Sequence, residues 1–233
     1  MTQIYEMLWN EAVAVIERGA PQLDPYLPDK ARDLRRGVTL ALRPSLPVRG
    51  EVAKFVGQLE SLCPGQYFYR PEELHVTVLS IISGTEHWRR EMDRMEACRG
   101  IIGRVLTAYR PFKIVFRGVT ASPVAVMVQG FPVGESPAAI RTDLREAFAS
   151  NGLGDMLDRR YKISAAHMTI MRFQKAAGDL TSLLNFLGEN RQTLFGESAV
   201  QTIQLNFGDW YASKDVVKTL EEYRLARAPG ITT

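Results

Sequence analysis

Two short segments of this 233-residue chain carry nearly the same pattern. The first motif reads Leu74-His75-Val76-Thr77-Val78-Leu79, and the second reads Ala166-His167-Met168-Thr169-Ile170-Met171. Two of the three histidines in the chain lie in these copies. Because side chains alternate between the faces of a strand, each histidine shares a face with the threonine two positions later. Two such strands side by side would present two imidazoles and two hydroxyls to one small polar ligand.

Each motif follows the same order of elements. In the first half, the residue pattern predicts a strand at Gly37–Arg43, a helix at Val48–Leu62 and the motif strand at Leu74–Ile82. In the second half it predicts strands at Phe112–Val119 and Pro123–Val128, a helix at Pro137–Ser150 and the motif strand at Tyr161–Arg172. A twofold internal repeat explains this order better than chance does.

The remaining elements surround this repeat. They are an amphipathic helix at Ile4–Arg18, a short aromatic strand at Tyr67–Tyr69, helices at Glu86–Tyr109 and Leu180–Asn190, and closing strands at Val200–Phe207 and Lys214–Arg224. Residues 216–223 also fit a helix. We expect an α+β fold that is bilobal, with two pseudo-symmetric lobes of antiparallel sheet plus helices around a central cleft. Residues 1–35 would form an N-terminal extension of this single domain, with halves at about 36–110 and 111–233.

The composition is that of an ordinary globular protein, with 45% hydrophobic and 24% charged residues. The formal net charge of +3 is nearly balanced, which argues against a large nucleic-acid-binding surface and leaves a local basic pocket open. The absence of a leader segment and of a long apolar run predicts a cytoplasmic protein without membrane contact, and we expect a monomer. Cys63 and Cys98 fit buried free thiols in a reducing compartment.

Paired histidines are suited to acid–base chemistry on a phosphodiester. With an ordinary pKa of about 6.5, one imidazole can deprotonate an attacking water or ribose hydroxyl while the other protonates the leaving oxygen. Threonine hydroxyls can donate hydrogen bonds to the non-bridging oxygens as charge develops. This chemistry requires no metal and no cofactor, and the sequence lacks the clustered carboxylates of a two-metal site. One such motif alone would more often be structural, but a matched pair favours function.

The paired motifs resemble those of the 2H phosphoesterase superfamily, which includes the 2′-5′ RNA ligase-like and cyclic phosphodiesterase families. The resemblance covers about residues 36–224. It implies that His75 and His167 form the catalytic pair and that Thr77 and Thr169 bind the substrate phosphate. It also implies that the substrate is a nucleotide or RNA end with a 2′,3′-cyclic phosphate, a 2′-5′ linkage or a related phosphodiester.

Many members of that superfamily carry an arginine five positions after the second histidine, and here that residue is Arg172. The resemblance implies that its guanidinium holds a phosphate oxygen. Strict alternation, however, places Arg172 on the face opposite His167, so it reaches the cleft only if the strand ends, bulges or twists there. The matching position in the first copy is Ser80.

Other candidates for the cleft are aromatic or basic. Tyr67, Tyr69 and Arg70 precede the first motif and offer base stacking or phosphate binding, although at least one of the two tyrosines is expected in the core. Phe173 is six positions after His167, so it lies on the same face of a regular strand and is a candidate for the floor of the cleft. Further lining candidates are Arg43, Trp210 and Tyr211.

Three functions follow from these residues. The first is a metal-independent phosphodiesterase, and the second is a nucleotide-binding module that keeps the cleft with little or no turnover. The third is a metal hydrolase with histidine ligands, which ranks last because the threonine of each motif is a poor metal ligand.

Overall fold

The computed structural model describes residues 2–158 and 165–226. The helices are α1 (Thr2–Ile16), α2 (Leu46–Leu62), α3 (Trp88–Met92), α4 (Met95–Leu106), α5 (Pro137–Ser150) and α6 (Leu180–Glu189). The strands are β1 (Arg36–Leu42), β2 (Tyr67–Phe68), β3 (Val76–Thr85), β4 (Phe112–Ser122), β5 (Ala125–Val133), β6 (Met168–Arg172), β7 (Leu194–Val200), β8 (Thr202–Gly208) and β9 (Lys218–Arg224). Short 3₁₀ turns lie at Leu27–Arg32 and Gly154–Met156.

The strands form one strongly curled antiparallel sheet in the order β7-β4-β5-β6-β3-β1-β8-β9, and β2 pairs with β6. The central order β5-β6-β3-β1 is symmetric about the β6–β3 junction, because β5 lies beside one motif strand and β1 beside the other. That junction is narrow, since only Val76 and Met168 are paired across it. The predicted α+β class is confirmed, and the two halves share a single sheet.

The helices pack across the two halves of the sheet. Helix α2 follows β1 but packs against β6 and β7, whereas α5 follows β5 and packs against β3. Helix α5 begins at Ser136, whose hydroxyl accepts a hydrogen bond from the Ala138 N–H, with Pro137 in the first turn. Its buried residues Ile140, Leu144 and Phe148 recur every four positions, which gives one apolar face toward the core. Helix α2 of the first half thus packs against the second motif strand, and helix α5 of the second half packs against the first motif strand.

The N-terminal helix is integrated into the core. Helix α1 packs against β4, and its residues Tyr5, Ala12 and Ile16 are buried. The Tyr5 hydroxyl donates to the Gly130 carbonyl oxygen at 2.9 Å and accepts from the Gly130 N–H at 3.0 Å. This residue therefore ties α1 to β5.

The structure differs from the predicted elements at two places and decides between the two readings of a third. The helix predicted at residues 86–109 is divided into α3 and α4, because the chain turns at Arg94, whose guanidinium binds Asp155 at 2.6 Å and 2.9 Å. Strand β7 was not predicted, since its Gly196 and Glu197 interrupt the apolar pattern. The strand predicted at Lys214–Arg224 is β9, which begins at Lys218, and the alternative helix over residues 216–223 does not form. The part of the predicted motif strand at residues 161–164 lies outside the described residues.

Strands β8 and β9 extend the first half of the sheet, although they follow the second motif in sequence. Gly37 of β1 pairs with Gly208 of β8, and β9 pairs with β8. Within residues 2–158 and 165–226, no helix has the length and apolar character needed to cross a membrane.

Candidate active site

The two motifs meet at the centre of the sheet. His75 immediately precedes β3 and His167 immediately precedes β6, and the pairing of Val76 with Met168 brings the two strands together there. Both histidines and both threonines line one cleft that encloses about 970 Å³, part of it open to solvent. The cleft is further lined by Thr39, Arg43, Tyr69, Ser80, Asp158, Arg172, Asn206, Asp209 and Trp210.

A β-bulge occurs at the same place in each motif strand. In β3, Leu79 pairs with Leu40 and Thr77 with Ala41, so that Val78 is an additional residue. In β6, Met171 pairs with Val126 and Thr169 with Met127, so that Ile170 is an additional residue. An additional residue shifts the alternation of all that follow by one. The bulges therefore bring Ser80 and Arg172 to the cleft face, together with the motif histidines and threonines.

The ring of His75 is held in one orientation. Its Nδ1 lies 2.7 Å from the Glu73 carbonyl oxygen. A carbonyl only accepts hydrogen bonds, so Nδ1 carries the proton and the neutral ring leaves Nε2 as a proton acceptor. Burial lowers the pKa of His75, and the positive charges of Arg43 and Arg172 lower it further, against the opposing hydrogen bond to Glu73.

His167 has a different environment. Its Nδ1 is buried and has no hydrogen-bond partner in the described part of the chain. Burial lowers the pKa of His167 to about 4, with further contributions from Arg141, His75 and Arg172. The ring is therefore neutral near pH 7 while the cleft contains no anion.

Arg172 is oriented by an aromatic hydroxyl. Its Nε donates to the Tyr69 hydroxyl at 2.9 Å, and Tyr69 is 3% exposed. The guanidinium has further N–H groups, which are suited to an anionic oxygen in the cleft. Tyr69 thus lines the cleft as the residue that holds Arg172.

Several of the predicted cleft residues lie elsewhere. Phe173 is fully buried in the core, and its prediction as cleft floor is wrong because the bulge at Ile170 reverses the alternation. Tyr67 is half-buried against Tyr69 and is not among the residues that line the cleft; its hydroxyl accepts a hydrogen bond from the Lys30 Nζ at 3.0 Å. Tyr211 is also buried, and its hydroxyl donates to Asp24 Oδ1 at 2.9 Å.

One end of the cleft floor consists of glycines. Gly84, Gly37 and Gly208 lie on the neighbouring strands β3, β1 and β8, and all three line the cleft. A Cβ on Gly37 would lie 2.6 Å from the Ile82 carbonyl oxygen, so this strand crossing excludes side chains. Glycines inside strand patterns are the sequence signal that could have indicated such a close approach.

Asp158 was also missed by the sequence reasoning. It follows the 3₁₀ turn at Gly154–Met156, lines the cleft, and accepts a hydrogen bond from the Ser83 hydroxyl at 2.9 Å. No residue pattern singles out this carboxylate before the chain is folded. Within residues 2–158 and 165–226, no group of three or more His, Cys, Asp or Glu side chains is arranged to hold a metal ion.

The comparisons with known proteins agree at the level of the fold. No family model matches the sequence, and no curated protein matches it. TT0787 of Thermus thermophilus is 17% identical with a TM-score of 0.61, covering 83% of this chain and 98% of that one. A solved phosphoesterase is 12% identical with a TM-score of 0.55, covering 82% and 99% of the two chains. E. coli LigT complexed with 3′-AMP is 13% identical with a TM-score of 0.56, covering 83% and 99%. The chain therefore has the fold of these three solved proteins, one named a phosphoesterase and one named LigT, and this fold agrees with the resemblance indicated by the paired motifs.

Proposed function

We propose that this protein is a metal-independent phosphodiesterase that acts on 2′,3′-cyclic phosphates or 2′-5′-linked nucleotide or RNA ends. One observation carries the proposal: two imidazoles, two threonine side chains and the guanidinium of Arg172 line the same cleft at the centre of the pseudo-symmetric sheet. This set contains an acid–base pair and an anion-binding group.

His75 is the residue that we assign as general base. Its Nδ1–H is held by the Glu73 carbonyl, so the lone pair of Nε2 can accept a proton from the attacking water or ribose hydroxyl. His167 is then the general acid that protonates the leaving oxygen. Because both rings are neutral in the free cleft, the acid must gain its proton when the anionic substrate arrives. A negative phosphate beside an imidazole raises its pKa, which supplies the reason for this uptake.

Thr77, Thr169 and Arg172 are assigned to the phosphate. The threonine hydroxyls share the cleft with the histidines, and the guanidinium of Arg172 is held there by Tyr69. Negative charge on the non-bridging oxygens grows toward the transition state, and donors fixed in place beforehand stabilise it without reorganisation.

The neighbouring structures support a nucleotide substrate. E. coli LigT has been solved in complex with 3′-AMP, with ATP and with NADP+. All three ligands carry phosphate on a nucleoside, and the cleft of this chain is lined by residues suited to bind a phosphate.

A nucleotide-binding module with little or no turnover is the second candidate. The lowered pKa of both histidines favours it, since both rings are neutral at pH 7 before a ligand binds and neither is the imidazolium that a general acid requires. Binding of 3′-AMP measured by calorimetry, together with no product from any phosphodiester substrate, would identify the protein as such a module.

The deciding experiment is a substrate screen on the purified protein in EDTA. The panel contains 2′,3′-cyclic nucleotides, 2′-5′ dinucleotides and RNA ends with a cyclic phosphate. We expect His75→Ala and His167→Ala each to lower kcat by about 10²–10⁴-fold, since each removes one proton-transfer step. His87→Ala is the matched control, because His87 precedes α3 outside the cleft. Turnover that survives in the double variant would contradict the assignment of the pair.

A further inference from the structure

A buried arginine connects the backbones of the two motifs. Arg141 lies on α5 and is 2% exposed, and it is the largest fully buried side chain of the described residues. Its Nε donates to the Val78 carbonyl at 2.7 Å, and its Nη2 donates to the Thr77 carbonyl at 3.1 Å and to the Ala165 carbonyl at 2.8 Å. One guanidinium therefore binds the first motif and the residue two positions before His167.

The place of these hydrogen bonds matters because the junction between the motif strands is narrow. Strands β3 and β6 are paired only at Val76 and Met168. Val78 is the additional residue of the first bulge, where the regular ladder of backbone hydrogen bonds is disrupted. A planar guanidinium offers several donors in a fixed geometry, which a lysine ammonium does not. Arg141 thus supplies donors where the sheet itself has few.

The geometry points to Arg141 as a positioning residue: through hydrogen bonds to Thr77, Val78 and Ala165, it sets how the two motif strands face each other across the cleft. It acts through the backbone that carries His75 and His167, and it reaches no substrate. The expected loss of turnover rests on the proposed function. Its structural consequence is measurable on the protein alone.

The positive charge of Arg141 also reaches His167. This charge is one of the causes, after burial, that hold the pKa of His167 near 4. Several other groups face the same ring or the same cleft: His75 before β3, Arg172 at the end of β6, Tyr5 on α1 beside Ala166, and the cleft carboxyls Asp158 and Asp209. Tyr5 is neutral at pH 7, because burial raises its pKa to about 12. Removal of the Arg141 charge alone leaves all of these groups in place.

The test is an NMR titration of the histidine rings in the wild-type chain and in Arg141→Gln and Arg141→Lys. The three histidines give three ring signals, and His75→Ala, His87→Ala and His167→Ala assign them. We expect Arg141→Gln to raise the pKa of His167 by about one pH unit, as the loss of a nearby like charge does, without moving the signal of the surface residue His87. Arg141→Lys keeps the charge and should keep the low pKa of His167.

Measurement of kcat/KM distinguishes the positioning effect of Arg141 from the effect of its charge. Both variants should lose at least about tenfold in kcat/KM, because neither glutamine nor lysine can donate to the three carbonyls in the arginine geometry. Arg145→Gln, one turn further along α5 and partly exposed, removes the same charge and should leave both readouts unchanged.

Three results would overturn the inference. The first is a folded Arg141→Gln protein with the wild-type titration of His167 and turnover within twofold. The second, which applies if Arg141→Gln does not fold, is a folded Arg141→Lys protein with wild-type turnover. The third is a wild-type His167 whose pKa is not lowered from the ordinary value of about 6.5. If no substrate is turned over by any form, the proposed function fails, while the backbone NMR signals of Thr77, Val78 and Ala165 in Arg141→Lys still decide the role of Arg141, because unchanged signals would overturn it.

Discussion

Replacement of Gly130 by alanine should disturb the second motif through a steric contact with its backbone. Gly130 lies in β5, and a Cβ built there would overlap the Ala166 carbonyl oxygen and lie 3.2 Å from its carbonyl carbon. The same atom would lie 3.1 Å from Ile114 Cγ2. Ala166 immediately precedes His167, and Gly130 is bonded through both its N–H and its carbonyl to the Tyr5 hydroxyl. Neither strand can move away without the loss of a contact on its other side.

The size of the effect follows from this overlap. Relief requires a backbone shift of about 1 Å in a close-packed interior, and overpacking of this kind costs about 1–3 kcal/mol in the free energy of unfolding. For a chain of this length, 2 kcal/mol corresponds to a fall in Tm of about 4–8 °C. A shift of about 1 Å at a catalytic residue can reduce turnover about 10²-fold. We therefore expect Gly130→Ala to lower both Tm and kcat/KM.

The assay is thermal unfolding by circular dichroism together with turnover of a 2′,3′-cyclic nucleotide. Gly57→Ala is the control, because Gly57 lies on the exposed face of α2 with nothing within 4 Å of the added Cβ. Alanine there should raise stability by up to about 1 kcal/mol, since it favours the helix. A Gly130→Ala protein with wild-type Tm and turnover would refute the steric argument.

Two further predictions concern the same cleft. Tyr69→Phe removes the acceptor of the Arg172 Nε–H and should lower kcat/KM about tenfold, measured at saturating and low substrate; unchanged kinetics would show that Arg172 does not depend on this contact. The depressed pKa of His167 predicts that its contribution to the free energy of unfolding is complete above about pH 6.5 and falls as the pH drops toward 4. The reason is that the unfolded chain binds the proton at a higher pH than the folded chain does. The loss from this residue is at most about 3 kcal/mol. Denaturant unfolding at both ends of this range should give a smaller loss for His167→Asn, and equal losses would contradict the shift.

The local elements could be predicted because they depend on short-range patterns. The apolar spacing of α2 and the proline at the start of α5 are properties of a few consecutive residues, and both helices lie close to the predicted positions. The twofold order of strand, helix and motif strand was also readable, since it only requires comparison of two segments. The break at Arg94 was not, and the contact found at this turn is an ion pair with Asp155, 61 positions away.

Some cleft residues could likewise be predicted from the sequence, and others could not. The motif histidines and threonines were singled out by their repetition, and the structure brings them to one cleft. Arg172 and Phe173 exchange the faces that simple alternation assigns to them, because of one additional residue at Ile170. A bulge is defined by the register with the partner strand, so the sequence of one strand does not reveal it.

The sequence by itself determined that two equivalent strands would each carry a histidine and a threonine on one face. That outcome follows from the twofold period of a strand and needs no partner. The tertiary structure alone decided that β3 and β6 meet at a single residue pair, that the helices cross to the opposite halves, and that Arg141 lies buried between the motifs. These features join residues far apart in the chain, and their energies depend on burial and hydrogen-bond geometry that exist only once the sheet has formed.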